Sequence, residues 1–218
     1  MPNNPIDRNI LVRLIGAHSR FSAGAKVAID GPGIGVFLLL WESALVAQFA
    51  HRRIREKPPS GGVSVFSESI AVAPDVVARS AALLDTLEWR GPAMIEYKQD
   101  RASGTLYLME INGRFWGSLQ LAIDAGVDFP ALLVAAALGE RPAPVGHFAV
   151  GARTRWWWGE VDHLIARLRD GSTPPGMVSR LRACRDFLLP GRRVRNEVLR
   201  AGDPWPFVRE TIEWLHGR

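Results

Sequence analysis

Two glutamates, an asparagine and an arginine carry the most specific chemistry in this 218-residue chain. Glu96 sits in Met94-Ile95-Glu96-Tyr97-Lys98, and Glu110, Asn112 and Arg114 sit in Met109-Glu110-Ile111-Asn112-Gly113-Arg114. Two carboxylates and an amide form an oxygen-rich donor set of the kind that holds a hard cation such as Mg²⁺. As core residues they would be costly, because charged groups resist burial without partners. Arg114 follows at once, placed to meet an anion beside that cation.

These residues need elements that bring them together. The segments around Glu96 and Glu110 both alternate and are rich in aromatic and large apolar residues, which predicts two strands. Arg101-Ala102-Ser103-Gly104 supplies the turn of a β-hairpin. If that turn is centred on Ala102 or Ser103, Glu96 and Glu110 share a face. Asn112, two residues beyond Glu110, then joins them.

Met-Ile-Glu-Tyr-Lys and Met-Glu-Ile-Asn-Gly-Arg, with Ala50-His-Arg-Arg-Ile-Arg-Glu-Lys-Pro-Pro upstream and Leu121-Ala-Ile-Asp-Ala-Gly-Val-Asp-Phe-Pro downstream, resemble the metal-binding end of the ATP-grasp superfamily. That superfamily includes biotin carboxylase, carbamoyl-phosphate synthetase and D-alanine–D-alanine ligase. The likeness is nearest to the bacterial carboxylate–amine ligase-like members, over Gly31 to Gly139 and more loosely over Arg153 to Trp214. It implies an ATP- and Mg²⁺-dependent ligase, with Mn²⁺ as a substitute ion, that activates a small carboxylate as an acylphosphate for attack by an amine or other nucleophile. It assigns Glu96, Glu110 and Asn112 to the metal. Lys26, Arg53, Lys98 and Asn112 go to the nucleotide, and Arg114 and Arg55 to catalysis. Gly113 is expected to let the backbone bend, and Gly117 to let the loop pass close to substrate.

The fold implied is α+β: an ATP-grasp-like antiparallel sheet flanked by helices, lacking most of the N-terminal half, with a mainly helical C-terminal extension. The expected division is 1–30 (helix and linker strand), 31–140 (ATP-grasp C-terminal subdomain) and 141–218 (extension). The glycine-rich loop and ATP-gripping lysines of the family have no counterpart before Lys26, and no adenine-hinge glutamate stands near it. A partner chain supplying that half, or a homo-oligomer, is therefore expected. The alternative is a non-catalytic domain of the same descent whose arginines bind nucleic acid or a partner protein.

Composition is that of a globular protein: 47% hydrophobic, 22% charged, net charge +5. Lys26, Lys57 and Lys98 are the only lysines, so arginine carries nearly all the positive charge, which suits planar carboxylate and phosphate partners. The single cysteine, Cys184, excludes an intrachain disulfide framework. Met1 to Asp7 is polar, and apolar runs such as Val36 to Trp41 are far too short to span a bilayer, so a cytoplasmic protein without membrane contact is expected. No GxSxG, HExxH or CxxC motif offers a rival chemistry.

The remaining chain predicts scaffolding. Asn9 to His18 has helical spacing and Lys26 to Ile29 reads as a short strand. Gly31-Pro32-Gly33-Ile34-Gly35 reads as a turn into a strand, because no helix follows it to form a phosphate loop. Val36–Leu40 and Leu45–Ala50 form a second hairpin through Glu42-Ser43. The charged run from His51 to Lys57 continues it, with Arg53 and Arg55 on one side. Helices are expected at Asp75–Leu87, Leu119–Ala125, Asp128–Leu138, Glu160–Leu168, Val178–Leu189 and Asp203–Leu215. A strand is expected over Phe148–Trp157, ending in a tryptophan triplet that favours core packing over a stacking platform. Arg192, Arg193 and Arg195 read as a solvent-exposed basic cluster.

Overall fold

The computed structural model describes residues 31–59, 61–169, 177–191 and 193–217. The N-terminal helix and strand, Lys26 and Arg192 lie outside them.

Among the described residues the chain runs β1 (Gly33–Trp41), β2 (Ala44–Lys57), β3 (Val63–Ser69), α1 (Pro74–Thr86), β4 (Gly91–Gln99), β5 (Leu106–Asn112), α2 (Leu119–Asp124) and α3 (Phe129–Ala137). It continues with β6 (Arg153–Arg155), α4 (Trp157–Arg169), α5 (Met177–Leu188), β7 (Val194–Asn196) and α6 (Trp205–His216). The strands give a seven-stranded order β5-β4-β1-β2-β3-β6-β7, in which β1–β2, β1–β4, β3–β6 and β4–β5 pair antiparallel and β6–β7 pair parallel. This is the α+β architecture expected.

The chain divides into two units. The first holds the described residues up to Arg52, together with Ile70–Trp116 and Gly126–Phe148. Its two hairpins form for local reasons. Glu42 and Ser43 both adopt positive φ, 50° and 60°, the geometry of a two-residue turn whose twist matches that of the strands it joins. At the β4–β5 turn, Asp100 Oδ1 accepts from the Ala102 and Ser103 amides and from the Ser103 hydroxyl. The Ser103 amide in particular holds the Asp100 carboxyl below its usual range.

Alternation along these strands builds two different layers. Val36, Leu38, Leu40, Ala93 and Ile95 pack on Val76, Val77 and Leu84 of α1. Pro74 opens α1 at its first turn, where its missing amide costs nothing. The opposite face carries Phe37 and Phe49, and Phe37 meets Trp116 at 4.2 Å between ring centroids. Trp116 in turn meets Phe129 of α3 edge-on at 5.0 Å. Asp128 caps α3 by accepting from the Ala131 amide.

The second unit holds Arg53–Ser69, Gly117–Ala125 and the chain from Ala149 onward. Here the strand expected over Phe148–Trp157 is only three residues long. Gly151, at φ 83°, turns the chain just before it, and Trp157 already begins α4. The tryptophan triplet is used in packing. Trp158 stacks on Trp214 at 4.1 Å and donates to Thr211 Oγ1, while Trp156 donates to Glu210.

Candidate functional site

Glu96 and Glu110 are directly opposed across β4 and β5. Near the hairpin tip the pairs run Gln99↔Leu106, Lys98↔Tyr107 and Tyr97↔Leu108, a register that would set Glu96 against Met109 and turn Glu110 to the α1 side. An irregularity between Glu96 and Tyr97 absorbs Met109 as an extra residue, so Glu110 pairs with Glu96 and Asn112 with Met94. One bulge thus moves a carboxylate from the apolar layer to the opposite face. Met109 itself is exposed.

The row extends across the sheet. Glu96 faces Gly35 on β1, and Gly35 faces His51 on β2. A Cβ at Gly35 would meet the Phe37 ring at 2.5 Å, so glycine is what lets that ring lie across the strand and stack on His51 at 4.7 Å. The acid pair therefore borders a fixed aromatic layer.

Glu110 and Asn112 are both partly buried, and Asn112 Nδ2 donates to Glu110 Oε1 at 2.7 Å. That bond leaves the amide oxygen Oδ1 as a further donor toward a cation. Lys98 lies two residues from Glu96 on the same side of β4, opposite Gly33. Arg114 is exposed, and its Nη1 donates to the Phe115 carbonyl at 3.0 Å. The first unit thus gathers Glu96, Glu110, Asn112, Lys98 and Arg114 within one hairpin and its exit.

Arg53 and Arg55 belong to the second unit. Arg53 Nη1 donates to the Gly62 carbonyl at 3.0 Å. Arg55 is committed to Glu160, with Nε on one carboxylate oxygen and Nη2 on the other at 2.9 Å, and Nη1 on the Asp186 carbonyl. Glu160 is 1% exposed and also faces Arg155 at 3.2 Å. Burial pulls the Arg155 pKa down despite that carboxylate. Sequence reading missed Glu160, whose place in an amphipathic helix gives no sign of the two guanidiniums it joins. Of the expected basic cluster, Arg193 and Arg195 are exposed, and Arg195, with Arg200, also holds Asp124.

The two glycine expectations resolve differently. A Cβ at Gly113 would strike the Trp89 ring at 2.2 Å, so glycine is required there by close packing. Among the described residues nothing lies within 4 Å of the corresponding position at Gly117.

Two carboxylates and an amide oxygen suit a hard cation that shares its coordination with a ligand. Among the described residues no group of three or more His, Cys, Asp or Glu converges on a metal position. Mg²⁺ keeps waters and takes one or two carboxylates plus phosphate oxygens, and two glutamates and an amide would supply the protein's share of those ligands.

A family model described as ATP-grasp in the biosynthetic pathway with Ter operon matches residues 30–158. The chain belongs to this ATP-grasp family. The match covers both hairpins, α1 and the whole Glu96–Arg114 segment. No curated protein matches the sequence. Among solved structures, this ATP-grasp chain is similar to an L-amino acid ligase from Bacillus licheniformis, at 21% identity over 53% of this chain and 31% of that one, TM-score 0.42. It is also similar to N5-carboxyaminoimidazole synthetase from Staphylococcus aureus complexed with ADP, at 11% identity over 58% and 34%, TM-score 0.46. A biotin carboxylase from Campylobacter jejuni gives 15% identity over 58% and 29%, TM-score 0.43. The chain therefore spans 34% or less of the length of each of these structures. Among the described residues no helix is long and apolar enough to cross a membrane.

Proposed function

We propose that this chain forms the phosphate end of an ATP-dependent carboxylate ligase, with Glu96, Glu110 and Asn112 holding the Mg²⁺ that accompanies the nucleotide. The observation that carries this reading is the direct opposition of Glu96 and Glu110, with Asn112 bonded to Glu110. Like charges opposed in an antiparallel pair destabilise a sheet on a scale of roughly 0.2–1 kcal/mol, a cost that a shared cation converts into a binding contribution.

The demand on such a site is electrostatic. Phosphoryl transfer spreads negative charge over the migrating group, and the protein's part is to have opposite charge already in place. Bound there, the ion would offset charge on the phosphate oxygens. Arg114, exposed at the strand exit, meets the transferring group or the resulting acylphosphate, and Lys98 lies along the same face for a neighbouring phosphate. The γ-phosphoryl group passes to a carboxylate oxygen of the substrate with ADP as leaving group. An amine then attacks the carbonyl carbon, loses a proton and expels phosphate.

Arginines are a poor basis for the nucleic-acid alternative. Arg55, Arg90, Arg153, Arg155, Arg195 and Arg200 are all engaged by carboxylates of the chain itself. Calorimetric titration of the full chain with MgADP and MgATP tests the reading. Mg²⁺-dependent binding that Glu110→Gln weakens supports it, and binding indifferent to Mg²⁺ and to that substitution refutes it.

A further inference from the structure

Where the chain leaves β5 it is pinned from two sides. Trp89, just after α1, lays its six-membered ring against Gly113, whose added Cβ would lie 2.2, 2.5 and 3.0 Å from three ring carbons. The ring is itself held. Its Nε1 donates to the Pro92 carbonyl at 3.3 Å, its backbone amide donates to the Leu84 carbonyl, and its side chain packs on the Val36–Ile95 cluster. Three residues beyond Gly113, Trp116 is 5% exposed and packs against Phe37, tilted, and Phe129, edge-on, in the opposite layer. Only Arg114 and Phe115 lie between the two anchored points, and Asn112 immediately precedes the first.

We propose that Trp89 is a positioning residue for the nucleotide site: its indole fixes the course of the backbone at Gly113 and so places Asn112 and Arg114. This rests on the proposed Mg²⁺–nucleotide reading. Trp89 touches no ligand and acts through the backbone of residue 113. Two rigid layers on either side of a four-residue exit leave little freedom in the direction of Arg114, whose side chain is otherwise exposed. A shift of about 1 Å at such a point is enough to cost on the order of a hundredfold where binding or transfer depends on alignment.

The test is a size exchange read by MgADP affinity on the full chain. Gly113→Ala drives a methyl group into the ring and is expected to weaken MgADP binding on the order of tenfold. Adding Trp89→Leu, which makes room for that methyl, is expected to recover most of the loss. Trp89→Leu alone, which adds no atom at the exit, is expected to weaken binding by severalfold. Trp158→Ala, which empties the packing of α4 on α6 and touches neither Trp89 nor the exit, is expected to lower the melting temperature while leaving the affinity unchanged. That comparison separates positioning from stability. If Glu110→Gln weakens binding while both Gly113→Ala and Trp89→Leu leave it at the wild-type value, the positioning role is refuted and the nucleotide reading stands. If the wild-type chain shows no Mg²⁺-dependent binding, the nucleotide reading falls and the positioning role with it.

Discussion

Glu110 faces Glu96 only because Met109 is an extra residue in β5. The two carboxylates are neighbours by register, and the hairpin carries an unfavourable like-charge pair on the face away from its α1-packed core. Stability and binding should therefore respond in opposite directions when one charge is removed.

Glu110→Gln keeps an oxygen to accept from Asn112 Nδ2 and abolishes the repulsion. The melting temperature is expected to stay level or rise, by an amount corresponding to less than about 1 kcal/mol. MgADP affinity is expected to fall on the order of tenfold, about 1.4 kcal/mol, because the bound cation loses a charged ligand. Thermal unfolding and calorimetry on the same preparation check both.

Glu160→Gln addresses a different use of charge. Glu160 is almost fully buried between Arg55 and Arg155, and neutralising it leaves two guanidiniums without their carboxylate. The expected loss is about 3–5 kcal/mol of stability, measured by chemical denaturation. A change of less than about 1 kcal/mol would show that the triad contributes little to folding and would leave Arg55 available for catalysis.

The pH dependence of the second unit is expected to centre on Glu197. Burial pushes its carboxyl up to about 7, against the opposing pull of Arg200 and with added repulsion from Glu210 and Asp124. Among the described residues its buried Oε1 has no hydrogen-bond partner. A raised acid binds its proton in the folded state while the unfolded chain has already released it. Stability is therefore greatest below about pH 4.5, declines as pH rises, and levels off above about pH 7. The span amounts to roughly 3 kcal/mol. Glu197→Gln is expected to flatten this decline, as seen by melting temperature across pH 5–8.

Trp158→Ala is expected to cost about 3 kcal/mol by emptying the stack with Trp214 and losing the bond to Thr211. MgADP affinity is expected to stay unchanged. Loss of affinity at preserved stability would instead mark the triplet as a ligand platform.

The sequence made the two hairpins, α1 and α3 legible because their signals are local: alternation, the Glu42-Ser43 turn, Pro74, and Asp128 as a cap. It placed Glu96 and Glu110 on one face through a turn centred on Ala102 or Ser103, whereas the shared face results from a bulge at Met109 further along the strand. Alternation alone cannot reveal a bulge, since either register satisfies a two-residue period. Strand β3 went unread because Val63-Ser64-Val65-Phe66-Ser67 is short and half polar, and it is stabilised by partners distant in sequence such as Arg155 and Thr154. The same limit hid Glu160 and the Trp89–Gly113 contact, since both depend on which segments meet in space. Lys26 lies outside the described residues, and its assignment to the nucleotide stays with the family resemblance.

The most direct measurement is electron paramagnetic resonance of Mn²⁺ titrated into the full chain with and without ADP. A bound Mn²⁺ signal that forms strongly only when ADP is present, and is lost in Glu96→Gln and Glu110→Gln, is the expected result. A Mn²⁺–ADP complex bound equally well by both variants and the wild-type chain would contradict the site.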